Sequence, residues 1–396
     1  MDVFFKPDHR FQLAKGQVKL RLYYDGDNTA ESSVTRDIYE KLLKNYLREM
    51  QYMAETASIT SKMSFNTFYV DIDLKGFNDS LGKFLPRYLE MILGWIPEPS
   101  GEFEDIRIKK LREYNNFFLE NPYQQAYQYH LLALREGAEV DPKAVVFAAE
   151  QIKFDHILQY NRRWKEKLFA ELYVAGNFTQ AKAEDFAGVV SKLLATHQPL
   201  DKSHVKTIRA VQLPQKETWS VEKSLRNPDE KNSSLIAHFQ YEEFGVTTKL
   251  LQDICMMFMK EPTFDYLRTK EQLGYIVMCL PDDHRGILGL SILVQSNVKS
   301  SHELSEYIDR LMVILKDKLE RLTAEEFEGL KKSAYTSKLQ KDKDLDTEST
   351  RFWTEITKHT YLFDRKEREL EELPKLKLEE FKEYEYCYAG SSTGCS

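Results

Sequence analysis

Apolar and polar positions along the chain alternate with two periods, and the resulting order of strands and helices occurs twice. The first series opens on Val18-Lys19-Leu20-Arg21-Leu22-Tyr23, whose period of two is that of a strand with one apolar face. A helical pattern runs from Thr35 to Glu55, and strand-like alternation from Phe65 to Leu74. Helices are expected near 81–93, 103–119, 123–135 and 154–167, before a strand Glu171 to Ala175 and a closing helix from Thr179 to His197. The second series repeats this order: strand Ser234 to Phe239, helix Thr247 to Lys260, a hairpin of Tyr275 to Cys279 with Ile287 to Ser296, then helices near 302–319, 325–340 and 347–360. The offset is about 215–220 residues, and what repeats is the order of elements.

Two copies of one plan imply an α+β fold of two homologous domains, each a mainly antiparallel sheet covered by helices. The expected boundaries are 1–205 for the first domain, 206–230 for a linker and 231–386 for the second domain, with a flexible tail at 387–396. The linker region is punctuated by Pro199, Pro214 and Pro228 and carries few apolar runs. In the second copy the helix Leu378 to Tyr386 runs into Ala389-Gly390-Ser391-Ser392-Thr393-Gly394-Cys395-Ser396, where the first copy has a strand. The second domain is therefore expected to lack its last strand and to keep an unpaired sheet edge.

With 396 residues, 42% of them hydrophobic, the chain is long enough for two cores. A net charge of −7 argues against nucleic acid or an anionic membrane as partner, since either calls for a basic footprint. The four cysteines, Cys255, Cys279, Cys387 and Cys395, form no C-x-x-C pair, so free thiols in a reducing compartment are expected. Met1-Asp2-Val3-Phe4-Phe5-Lys6 has no apolar signal segment, and no run is long enough to span a bilayer. These features predict a cytoplasmic location. Sequons at Asn78, Asn177 and Asn232 then read as chance triplets.

Candidate chemistry concentrates in Glu261-Pro262-Thr263-Phe264-Asp265-Tyr266-Leu267-Arg268-Thr269-Lys270-Glu271-Gln272-Leu273-Gly274-Tyr275-Ile276-Val277. Taken alone, Arg268 and Tyr275 have two readings: a solvated helix residue and a strand-end residue, or a pair of donors brought to one site. Gly274 suits a helix C′ position, where glycine takes positive φ without strain. This segment resembles a signature of insulysin-type zinc peptidases of the pitrilysin family. The resemblance extends over nearly the whole chain, from Phe4-Phe5-Lys6-Pro7-Asp8 through Glu120-Asn121-Pro122-Tyr123-Gln124-Gln125-Ala126 and Leu172 to Asn177, to Leu362-Phe363-Asp364-Arg365. It is to the third and fourth domains of insulysin or nardilysin, the half that faces a zinc-bearing half across a closed chamber.

The resemblance implies that Tyr275 hydrogen-bonds the scissile carbonyl oxygen as it becomes an oxyanion, and that Arg268 positions substrate with a donor and a positive charge. Both roles suit donors in a water-poor site. Zinc in that family sits on an H-x-x-E-H helix. No such motif exists here: the nine histidines include no two closer than seven residues. No metal ligands and no bound cofactor are therefore expected in this chain, and zinc is expected on a complementary N-terminal half. The implied partners are peptide substrates, a zinc-bearing half or full-length relative, and a second copy of the chain. Two alternatives stay open: a non-enzymatic peptide-binding or regulatory partner of a full-length relative, and a truncated product without stable function.

Other motifs carry less. Asp282-Asp283-His284 and Glu325-Glu326 could be drawn as acid/base or metal sites, but Pro281-Asp282-Asp283-His284-Arg285-Gly286 reads as a hairpin loop and the Glu pair as the solvated start of a helix. Lys338-Leu339-Gln340-Lys341-Asp342-Lys343-Asp344 lies where the resemblance places a lysine-rich polyanion patch, but the interleaved aspartates oppose phosphate. A solvated helix end is expected there. Neither a phosphate-binding G-x-x-x-x-G-K-[ST] loop nor a G-x-S-x-G nucleophile elbow is present.

Overall fold

The computed structural model describes residues 1–214 and 217–389, with side chains through residue 384. Its contacts divide the chain into two units, each assembled from three segments. Unit 1 comprises 1–115, 140–208 and 342–361, and unit 2 comprises 116–139, 209–341 and 362–396.

Unit 1 is built on strands β1 (Asp2–Pro7), β2 (Lys15–Tyr23), β3 (Thr60–Phe65), β4 (Tyr69–Phe77) and β5 (Lys167–Gly176), in the order β1-β5-β2-β4-β3. Only β1 and β5 among these run parallel; the remaining pairs are antiparallel. The stretch expected as strand from Phe65 to Leu74 instead spans the turn of the β3–β4 hairpin, at Asn66, whose N–H bonds the Tyr69 carbonyl, with only Phe65 in β3 and Tyr69 onward in β4. Its apolar run hides the break because both limbs face the same core. That core lies between one sheet face and helices including Ala30–Tyr46, Asn78–Gly94 and Phe154–Glu166, with Tyr39, Tyr160 and Trp164 in edge-to-face contact at its centre.

The alternation in β2 would leave Gln17, Lys19, Arg21 and Tyr23 on a solvated face, yet all four are buried. Lys19 pairs with Asp73, Arg21 makes a two-pronged pair with Asp71, and Tyr23 donates to the fully buried Glu171. The helix Leu345–Thr357, from late in the sequence, contacts this face at β2 and β5. Such a layer has to be polar and paired, because unpaired charges at that depth would cost several kcal/mol, about 3–5 for removal of one partner.

Unit 2 follows a similar plan around a three-stranded sheet of β6 (Ser233–Glu243), β7 (Ile276–His284) and β8 (Ile287–Ser296), ordered β7-β8-β6 and antiparallel throughout. One face carries Leu290, Ile292 and Val294 into a core with helices Val246–Phe264 and Ser301–Arg321. The other is contacted by the helix Pro122–Leu134, from early in the sequence, at β6 and β8. In both units a helix from a distant part of the chain covers the polar face of a sheet, so sequence order alone does not delimit the units.

Two local expectations change. The loop expected at 281–286 is mostly strand: β7 continues to His284, and the turn is only Arg285-Gly286, at φ 56° and 87°. Positive φ at both central residues is the type I′ requirement that matches strand twist. Pro281 is tolerated because β7 is an edge strand. The helix Leu378–Ala389 takes in 387–389 of the expected tail, the rest of which lies outside the described residues. Among the described residues no strand follows that helix.

Candidate functional site

The helix Val246–Phe264 contains Pro262, which has no N–H to donate to the preceding turn. Immediately beyond, residues Asp265–Lys270 form a π-helical turn, with Glu271 N–H bonded to the Tyr266 carbonyl. Wide turns of this kind re-aim side chains and recur at functional sites. Here the turn lays the Arg268 guanidinium 4.3 Å from the centre of the Tyr275 ring and 4.7 Å from that of Phe264. The sequence pair is thus brought together in space. Tyr275 is 79% exposed and Phe264 43% exposed. Among the described residues, neither the Tyr275 hydroxyl nor the Arg268 guanidinium has a protein hydrogen-bond partner. Both remain available to an incoming group.

Gly274 acts differently from the expectation. The left-handed residue is Gln272, at φ 49°, while Gly274 is needed for a close approach: a Cβ there would lie 2.0 Å from the Gln295 carbonyl oxygen. Gln295 pairs with Ile276 across β7 and β8, and its side-chain oxygen accepts the Tyr123 N–H at 3.1 Å. One residue thereby fixes the start of β7, beside Tyr275, and the N-terminus of the helix Pro122–Leu134.

The lysine-rich segment is committed elsewhere. Lys338 Nζ, expected to be solvated, donates to Asp253 and Glu369 at 2.8 Å each. Burial would lower its pKa, but the two carboxylates outweigh it and the net shift is upward. Asp344 caps the helix Leu345–Thr357, and Asp342 pairs with Arg351. Glu326 completes a capping box with Thr323.

A second group lies toward the other end of β7, about 23 Å along the strand from Tyr275 at the usual rise per residue. Asp282 and His284 are two apart on a strand and so share a face. His238 on β6 stands in register with Ser291 on β8, and His130 comes from the helix Pro122–Leu134. The four acidic and imidazole side chains are each 4–8% exposed. Asp282 Oδ2 accepts from Ser291 Oγ and lies 3.2 Å from His238 Nδ1 and 3.8 Å from His130 Nε2; its Oδ1 lies 3.9 Å from His284 Nε2. Burial pushes the His130 imidazolium down to about 4 and lowers His284 as well. Burial raises the Asp282 carboxyl, but hydrogen bonds from His238 and Ser291 outweigh it, and the group stays below the ordinary carboxylate range.

Sequence reading missed this group because its members are spread over a helix and two further strands. The one local signal was the i, i+2 pair Asp282 and His284, set aside because 281–286 read as a loop, although the strand runs to His284.

Residues 1–143 match the model of the middle or third domain of peptidase M16, and 254–353 match that of the PQQ synthase PqqF-like C-terminal lobe domain 4. Insulin-degrading enzyme-like 1, peroxisomal, from Arabidopsis thaliana is 28% identical over 98% of this chain and 41% of its own length. Human insulin-degrading enzyme is 29% identical over 87% of the chain and 34% of its own, and human nardilysin 28% over 94% and 32%. The crystal structure of pitrilysin superimposes with a TM-score of 0.84 at 20% identity, covering 97% of this chain and 40% of that one. The structure of a peptidase M16 inactive domain from Pseudomonas fluorescens gives 0.68 at 12% identity, with 98% and 92% covered. The fold and the matched domain models are those of a peptidase-family lobe. The chain belongs to the M16 family of insulysin, nardilysin and pitrilysin and corresponds to its C-terminal half. It spans about two fifths or less of the length of these full-length relatives.

Proposed function

We propose that this chain is the non-catalytic C-terminal half of an insulysin-like zinc metalloendopeptidase, forming the wall of a peptide-holding chamber and lending Arg268 and Tyr275 to the active site of a zinc-bearing half. The observation that carries this reading is the Arg268–Tyr275 pair, stacked at 4.3 Å with its donors unused among the described residues. A phenol O–H and a guanidinium favour negative charge developing on a carbonyl oxygen. They do not generate a nucleophile. The family's zinc does not fit this chain, which has no H-x-x-E-H helix, so no step of the hydrolysis is assigned to a metal here.

The Arg268 guanidinium is the group expected to hold substrate in the isolated chain. Its replacement, Arg268→Ala, is expected to weaken binding of a fluorescent hormone-length peptide at least about 10-fold, since a hydrogen bond to a charged group contributes about 1.5–3 kcal/mol. Fluorescence anisotropy measures this directly. Equal affinity in the folded variant would remove Arg268 from the proposal.

The absence of a zinc motif also favours a second reading, a regulatory or dimerisation partner that binds peptide and adds nothing to turnover. Enhancement of a zinc-bearing half by this chain separates the two.

A further inference from the structure

The geometry points to a divalent transition-metal site in unit 2, with His130, Asp282 and His284 as ligands and His238 and Ser291 orienting the carboxylate. One ligand atom from each of the three lies within 4.8 Å of the others. About 3.3–3.5 Å separates ligands around a tetrahedral zinc with bonds near 2.0–2.1 Å, so closure asks only a small inward shift of each group. Two imidazoles and a carboxylate suit a borderline ion such as Zn²⁺ or Co²⁺, not Mg²⁺ or Ca²⁺, which take oxygen ligands.

Three further observations favour a ligand over a satisfied hydrogen-bond network. His284 Nε2 is buried, has no hydrogen-bond partner among the described residues and lies on the Asp282 side of its ring. A buried polar atom left so costs about 1–3 kcal/mol. The carboxylate is held from behind by His238 Nδ1 and by Ser291, the kind of outer support that metal ligands need. His238 reaches that position only because residue 289 is glycine: a Cβ there would meet its ring at 2.8 Å. From the opposite face Gln252 donates to the carbonyls of Asp282 and Gly289, which fixes the two strands.

Two contacts oppose metal. Ser291 Oγ lies 3.4 Å from His130 Nε2, a hydrogen bond that loading would break. Arg135 Nε donates to His284 Nδ1 at 3.1 Å, so Nε2 carries the ring proton in the metal-free state. Loading moves that proton to Nδ1 and releases Arg135, which has Glu139 within 3.9 Å as an alternative partner. The ion would fasten the helix Pro122–Leu134 to the sheet, far from Tyr275, in a structural role.

The test is calorimetric titration of the metal-stripped full chain with Zn²⁺, in a Cys387→Ser, Cys395→Ser background to remove competing thiols, with a parallel Co²⁺ spectrum. One equivalent is expected to bind with micromolar or tighter affinity, with tetrahedral or five-coordinate d–d bands and a higher melting temperature. His130→Ala and His284→Gln should each weaken binding at least about 10-fold, and His9→Ala should leave it unchanged. Arg135→Gln should tighten it, an outcome that a purely structural network does not predict. If a ligand variant fails to fold, the wild-type Co²⁺ spectrum and the Arg135→Gln titration decide the matter. No saturable binding by the wild-type chain, or equal binding by the folded ligand variants, would overturn the site.

Discussion

Replacing Tyr275 by Phe is expected to lower peptide turnover by a mixture of this chain and a separately produced zinc-bearing half about 10²–10³-fold, the usual loss when one oxyanion donor is removed. The effect should fall on kcat with KM nearly constant, because the hydroxyl bonds an oxygen whose charge develops only in the transition state. The substitution isolates that hydroxyl. Tyr275 is 79% exposed, and the ring face that stacks on Arg268 survives in Phe, so neither the core nor the stack is disturbed. An unchanged kcat in the mixture would exclude the oxyanion role, whatever the fate of Arg268.

Gly274→Ala should destabilise unit 2 by about 3 kcal/mol or more, at or above the upper end for overpacking. The added Cβ would lie 2.0 Å from the Gln295 carbonyl oxygen, 3.1 Å from its carbon and 3.3 Å from Ser296 Cα. All three are backbone atoms of β8, so no side chain can swing aside. The start of β7 must separate from β8, which moves Tyr275 and loosens the Gln295 contact to Tyr123 together. Urea titration measures the loss. Gly188→Ala is the control: in the helix Gln180–Leu194 its Cβ meets nothing within 4 Å, and a gain of about 0.5–1 kcal/mol is expected from helix propensity. Equal stability of Gly274→Ala and the parent chain would show that β8 yields at this point.

What could be read from the sequence followed from how local each signal is. Most helices and the β7–β8 hairpin announced themselves through periodicity, since one apolar face against one core leaves a regular trace. Arg268 and Tyr275 were legible as a pair because seven residues and a motif join them. The π-helical turn that brings them together was not, as a widened turn leaves no period of its own. Gly274 read as suited to a helix C′ position, but positive φ is a property of the residue itself, whereas its constraint comes from a strand twenty-one residues further on. The burial of the polar faces of both sheets leaves no local trace, because the helices that cover them, Leu345–Thr357 and Pro122–Leu134, come from distant parts of the chain. The same exchange hid the cluster of His130, His238, Asp282 and His284, since its parts meet only once the helix is laid on the sheet.

The central claim is that this lobe completes a peptidase site without forming one alone. Cleavage of a fluorogenic peptide by the chain, by the zinc-bearing half and by their mixture tests it most directly. Turnover by the mixture well above the sum of the two components, with none from this chain by itself, is the predicted result. Turnover by the pure chain, or a mixture no faster than the zinc-bearing half although both are folded and associated, would contradict it.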